Sequence, residues 1–227
     1  MEAVFNFDRK DTAAYAPDCS DGSSSKRALL VVDIQKGFFS KNPALQKEFP
    51  EFESNVTQLL ALMRGGGRDA GPLCKLVVHI RAGYSSERGS AFIPTFKRLN
   101  PEKILVAPET PDAEAEDFAK EIDSAHSAGG GGPTEIVLDK PTFDAFLNTD
   151  LDEQLQAAGI EEVFICGLVT EACVQATAHG SFARGYRTVL VEDCCAGRDR
   201  GRHEAVLTLY GGYMYQLATV NQLSGMR

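Results

Sequence analysis

The feature that most restricts what this chain can fold into is a repeated event: a short apolar run, bounded by polar residues, followed by a helix-length segment. "ALLVVD" (28–33) is the first instance, an unbroken apolar run ending in Asp33. "KLVVHIR" (75–81), "TEIVLDK" (134–140), "EEVFICG" (161–167), "YRTVLVED" (186–193) and a weaker "QLATV" (216–220) repeat it. Continuous rather than alternating apolarity is the pattern of strands covered on both faces. The intervening segments carry apolar residues at helical spacing. Val56, Leu59, Leu60 and Met63 mark one helix; Leu151, Leu155 and Ala158 mark another, opened by the capping-box-like "TDLD" and stopped at Gly159. Val206, Leu209, Tyr210 and Tyr213 mark a third. Buried strands alternating with helices imply βαβ units. The expected fold is therefore α/β: a three-layer α/β/α sandwich around a mostly parallel sheet of about six strands, Rossmann-like in plan. Residues 1–26, ending in "SDGSSSK", read as an N-terminal tail, and 27–227 as one domain.

Composition narrows the function classes. A net charge of −9 argues against a nucleic-acid surface, which needs clustered Lys and Arg. No stretch approaches the roughly 20 apolar residues of a membrane span, and the N-terminus lacks the apolar block of a secretory signal. The six cysteines have neither the spacing of a disulfide framework nor a Cys-x-x-Cys pair. A cytoplasmic protein with free thiols is the expectation. The Gly-rich stretches 64–72 and 127–133 do not follow a strand and open a helix, so no phosphate cradle and no nucleotide cofactor are expected.

In an open α/β sheet, ligands bind outside the carboxyl ends of the strands. Those ends supply Asp33, then His79, Arg81 and Tyr84, then Asp139 and Lys140, then "CGLVTEACV" with Cys173 in the first turn of the following helix, then Glu192, Asp193, Cys194 and Cys195. Asp33, Lys140 and Cys173 form a chemically coherent set. A thiolate, not a thiol, attacks a carbonyl, and a helix N-terminus and an ammonium both favour it. A carboxylate can take the thiol proton and return it to a leaving group. On this reading the Cys173 thiol titrates below the ordinary value of about 8.5. Each residue also has a plain structural reading: a loop Asp, a solvated Lys, a packed Cys. A Cys–His pair is disfavoured, since His179 lies six residues along the same helix, roughly 240° round it. Of the vicinal Cys194 and Cys195, one is expected in the core and one at the mouth of the site.

The set "ALLVVDIQKGF", "LDKPTFDAFLNTDLDEQL" and "VFICGLVTEACVQATAHGSFARGYRTVLVEDCCAG" resembles the isochorismatase-like cysteine hydrolases, over roughly residues 27–220 and in the right order. That superfamily includes nicotinamidases, N-carbamoylsarcosine amidohydrolases, ureidoacrylate hydrolases and isochorismatases. The resemblance implies that Asp33 is the general base, Lys140 stabilises charge and Cys173 is the nucleophile. It implies a cis peptide at Leu168–Val169, and an oxyanion hole from the N–H groups of Val169 and Cys173. It also implies a homodimer or homotetramer.

Two departures matter. Nicotinamidases hold a divalent metal with an Asp and two His after the second strand; here that region has only His79, so neither metal nor nicotinamidase activity is expected. Arg81 and Arg88 stand instead where a guanidinium could clamp a substrate carboxylate. Some isochorismatases, which cleave a vinyl ether, lack the Cys; its retention favours C–N hydrolysis of an amide, carbamoyl or ureido substrate, with isochorismate hydrolysis the alternative. Phe38, Tyr84, Phe143, Thr170 and Glu171 are the further candidates for contact with a small-molecule substrate. One Phe of each of the pairs Phe38–Phe39 and Phe143–Phe146 is expected to be core.

Overall fold

The structure, a computed structural model, describes residues 23–65, 71–84, 91–103, 105–121 and 132–225. Six strands form one sheet: β1 (Arg27–Val32), β2 (Leu76–Ala82), β3 (Thr134–Lys140), β4 (Glu162–Leu168), β5 (Arg187–Ala196) and β6 (Gln216–Ala218). Their order is β3-β2-β1-β4-β5-β6, and every adjacent pair is parallel. The helices are α1 (Pro43–Glu48), α2 (Phe52–Met63), α3 (Phe92–Leu99), α4 (Leu151–Ala157), α5 (Gln175–Ala183), α6 (Arg200–Tyr210) and α7 (Val220–Ser224).

The unbroken apolar runs are explained by two cores, one on each face of the sheet. Leu29 and Val31 of β1 join Phe52, Val56, Leu59 and Met63 of α2 and Val220 and Leu223 of α7. Ala28, Leu30 and Val32 face the other way, onto Leu151 and Leu155 of α4, Ala178 of α5 and Leu207 of α6. Fully burying a Leu, Val or Phe contributes about 1.5–3 kcal/mol each, so a strand apolar on both faces is fixed in the middle layer. The α6 stripe differs from its expected form. The helix stops at Tyr210 and its buried face is His203, Val206 and Leu207, while Leu209 and Tyr213 are exposed. The "TDLD" box does not close either: the N-cap Asp150 makes no side-chain cap, and Thr149 Oγ1 accepts weakly from Leu151 N instead. Residues 23–26, read as tail, form a 3₁₀ turn tied to the fold by Glu161 N donating to Lys26 O at 2.8 Å.

The chain lays β2 and β3 on one side of β1, then returns to place β4, β5 and β6 on the other. The carboxyl ends of β1 and β4 therefore bracket the crevice where strand order reverses. Gly167 sets their spacing. Its φ is 129°, and a Cβ there would lie 2.0 Å from Val32 O. β5 accommodates this point with a bulge: Ile165 pairs with Leu190, but Gly167 pairs with Cys195.

Two substitutions separate close approach from backbone strain. Gly167→Ala should cost about 3 kcal/mol or more, because backbone and not a flexible side chain blocks the methyl. Gly159→Ala, at φ 70° with nothing within 4 Å, should cost only about 1–2 kcal/mol. Urea denaturation midpoints of the two variants check the ranking.

Candidate active site

Asp33 ends β1 in a left-handed conformation, φ 52°, which costs a non-glycine residue roughly 1–2 kcal/mol. Its neighbours hold it there. Asp33 N donates to Ile80 O of β2 at 2.9 Å. Two residues on, the Gln35 amide works as an extra rung of sheet: Ala82 N donates to its Oε1 at 2.8 Å, and its Nε2 donates to Ala113 O at 2.8 Å and Ala82 O at 3.2 Å. The turn thus turns the Asp33 carboxylate into the interior, where it is 1% exposed.

Lys140 ends β3, one strand beyond β2, and its long side chain crosses to Asp33: Nζ lies 2.8 Å from Oδ2. The ammonium also donates to Thr142 O at 2.9 Å and sits 5.5 Å from the centre of the Tyr84 ring. It has no solvent exposure. Gly83 N, donating to Lys140 O at 3.1 Å, fastens the two strand ends together.

Cys173 stands in a single π turn, Thr170–Val174, that precedes α5 rather than in α5 itself. Its mark is the five-residue bond from Val174 N to Val169 O, 3.4 Å. Such turns often re-aim a side chain at a functional site. The Leu168–Val169 peptide is cis. The buried thiol feels the charges of Asp33 and Lys140 and lies 3.6 Å from the Tyr84 hydroxyl. The structure therefore gathers carboxylate, ammonium, thiol and phenol from four strand ends into one water-poor cluster.

Comparison with known proteins gives this arrangement its relatives. The Isochorismatase domain family matches residues 27–222. The chain belongs to the isochorismatase family. Streptothricin hydrolase from Streptomyces noursei is 32% identical over 173 residues, covering 76% of this chain and 55% of that protein. Maleamate amidohydrolase from Pseudomonas putida is 28% identical over 212 residues, covering 89% of each. The crystal structure of a cysteine hydrolase from Pseudomonas syringae pv. phaseolicola 1448A, 19% identical, covers 96% of this chain with all of its own and a TM-score of 0.71. This isochorismatase-family chain is a hydrolase.

The electrostatics of this hydrolase differ from the expected preformed thiolate. Burial pushes the Cys173 thiol up to about 12, Asp33's charge adds to the rise, and Lys140 opposes it. Burial also raises Asp33 above its ordinary 3.8, against the pull of Lys140 and Cys173. Burial would lower Lys140, but Asp33 and then Cys173 outweigh it and keep the ammonium charged. The expectation of an unusually acidic thiol is corrected: the cluster is too dry and already holds one anion.

The other candidates fall unevenly. Arg81 is not aimed at the thiol. It shares the β2 face of Val77 and His79, opposite Val78 and Ile80, and its Nε pairs with Asp139 Oδ1 at 3.2 Å near the surface. Arg88 lies outside the described residues. His79 Nε2 meets Glu135 Oε2 at 2.8 Å in a buried network that Arg64 completes from α2. No set of three His, Cys, Asp or Glu is placed for a metal among the described residues. Thr170 is wholly buried and held by His203, Oγ1 to Nδ1 at 2.9 Å. Glu171 Oε1 accepts from Arg198 Nε at 2.7 Å and Arg198 N at 3.2 Å. Both residues brace the π turn. Phe38 packs against the α2 core while Phe39 is part of it; Phe143 flanks the thiol's side of the sheet, with Phe146 in that core. Cys194 and Cys195 are both buried, one in each core, so neither reaches the mouth of the site. Gln35 was missed by sequence reasoning. Its position two residues after Asp33, in "VVDIQ", was the available signal.

Because Asp33's negative charge holds the thiol proton on, Asp33→Asn should make Cys173 more reactive towards iodoacetamide at pH 8, by about tenfold or more. Peptide mapping of the alkylated native protein measures this. An unchanged rate would mean that Asp33 does not act on the thiol, and a slower one that its service as a base outweighs the effect of its charge.

Proposed function

We propose that this chain hydrolyses the C–N bond of a small amide, carbamoyl or ureido compound through a thioester on Cys173, with Asp33 and Lys140 as its partners. The observation that carries the reading is one buried cluster in which Asp33 is ion-paired with Lys140 at 2.8 Å and interacts electrostatically with Cys173. The named amidohydrolase among the chain's relatives supports the C–N reaction class.

In the resting cluster the thiol is protonated and Asp33 is paired with Lys140. As the substrate carbonyl reaches the sulfur, the S–H proton passes to Asp33 and the S–C bond forms. The carbonyl electrons move to oxygen, where the N–H groups of Val169 and Cys173 are the proposed donors. The intermediate collapses as the C–N bond breaks and Asp33 gives its proton to the departing nitrogen. Asp33, again a carboxylate, takes a proton from water as the water attacks the thioester, and the sulfur recovers a proton when the acid leaves. Lys140 keeps its proton throughout. Its role is to hold Asp33 in the accepting state.

The test is a screen of amides, ureido acids, carbamoyl acids and isochorismate, followed by quenching under turnover and intact mass measurement. A substrate-derived acyl mass on the native protein, absent from Cys173→Ala along with at least about 10³-fold of kcat, is the expected result. Turnover of isochorismate alone, undiminished in Cys173→Ala, would replace the covalent reading with proton-transfer chemistry. The pH dependence follows from Asp33. It must be ionised to accept the proton, so the acid limb of kcat/KM should lie above the ordinary carboxylate value of 3.8. Lys140→Met removes the charge that opposes the rise, and should move that limb to still higher pH.

A further inference from the structure

We propose that Tyr84 is a catalytic residue, its hydroxyl donating a hydrogen bond to the Cys173 sulfur whenever the thiol proton is on Asp33. This rests on the covalent reading above and adds a group to it. The hydroxyl lies 3.6 Å from Sγ, within reach for a sulfur acceptor. Everything around the phenol fixes it there. Its backbone N donates to Val106 O at 3.0 Å, its ring stacks on Phe92 at 5.7 Å, and Phe143 meets the same ring edge-on at 6.3 Å. The Lys140 ammonium lies 5.5 Å from the ring centre, close enough to draw on its π electrons and strengthen the O–H as a donor.

The direction of the bond follows from the neighbours. With the thiol intact, the S–H has two acceptors, the Asp33 carboxylate and the phenol oxygen, and the charged one is stronger. The S–H is therefore directed at Asp33, leaving the phenol to donate to a sulfur lone pair. Tyr84 does not compete for the proton. Burial, then the negative charges of Cys173 and Asp33, hold its own ionisation well above 10.0. When Asp33 takes the proton, the sulfur keeps both electrons of the S–H bond. Buried as the cluster is, the groups beside that anion able to stabilise it are Lys140 and Tyr84. No proton leaves Tyr84 at any step, so the balance of the reaction is unchanged. The same hydroxyl stabilises the sulfur when the thioester breaks and the thiolate is the leaving group.

Tyr84→Phe keeps the ring and removes only the hydroxyl, and iodoacetamide needs no natural substrate. Alkylation of Cys173 at pH 8 should slow about tenfold or more in the variant, the loss expected for a hydrogen bond to a charged group. Replacement of Tyr84 by 3-fluorotyrosine, a more acidic phenol, should speed alkylation above the native rate. Opposite responses from two near-isosteric rings would not arise from packing. Equal rates in the native, phenylalanine and fluorotyrosine proteins would overturn the proposal. The outcome is separable from the covalent mechanism: a native protein that forms no acyl adduct under turnover overturns the thioester, while the alkylation rates still report whether the phenol serves the sulfur.

Discussion

Everything in the site depends on the ion pair between Asp33 and Lys140 lying where water does not reach. Taking a carboxylate and an ammonium out of water costs several kcal/mol for each ion, and their attraction offsets this only at short range with the remaining polar atoms satisfied. The fold meets the distance condition by bringing the groups from strands that are not adjacent, while the Asp33 oxygens have no hydrogen-bond donor among the described residues and rely on the Lys140 charge. Lys140 spans the width of β2, and its second bond to Thr142 O uses the chain just past its own strand. Asp33 needs a left-handed turn, which Gln35 clamps to β2 and to the 111–115 loop. Removing one partner of such a pair leaves an uncompensated charge, a loss of about 3–5 kcal/mol. On the proposed mechanism, catalytic and structural roles of the pair are thus one interaction.

The same burial decides how Cys173 would be activated on the proposed mechanism. An anionic sulfur beside an already ionised carboxylate would place two negative charges against one positive in a low dielectric. The thiol therefore keeps its proton at rest. On that mechanism, reactivity is confined to the moment a carbonyl arrives, when negative charge can move from sulfur to oxygen as the proton moves to Asp33. A thiol held this way is also a poor target for oxidants, since oxidation follows thiolate character and exposure. Burial here trades nucleophile concentration for selectivity.

The architecture was legible because its signals are local and strong. Unbroken apolar runs can satisfy only a strand with a core on each side, and the strand ends then nominate Asp33, Lys140 and Cys173 together. The residues misread depended on orientation. Arg81 follows Val77 and His79 by the two-residue period of β2, so its face could have been read from the sequence; proximity to the strand end drew the reading the other way. The α6 stripe failed for two reasons: two glycines after Tyr210 end the helix before Tyr213, and Leu209, still within it, lies off the buried face of His203, Val206 and Leu207. The π turn left no local trace, and the Gln35 clamp only the position of its amide two residues after Asp33, because a five-residue bond and an amide that joins a sheet are decided by neighbours distant in sequence. The raised thiol was equally invisible. The helix terminus and ammonium that argue for an acidic thiol are present in the sequence, and the desolvation that outweighs them is a property of the folded interior alone.

The position of the thiol is set by both cores at once. Gly167 lets β4 approach Val32 closely, and the next residue, Leu168, is buried in the α2 core. Val169 still packs on that side, whereas Cys173 and Val174 belong to the core beneath α5. Within five residues the chain therefore passes from one face of the sheet to the other around the end of β4. The π turn is the form this crossing takes, and the ties of Thr170 to His203 and of Glu171 to Arg198 hold it from the α6 side. A shift of the sulfur would have to disturb two close-packed interiors, which resist displacement far more than a surface loop does. The sulfur of Cys173 is consequently the fixed point of the cluster, and on the proposed mechanism it is the substrate carbonyl that must be brought to it.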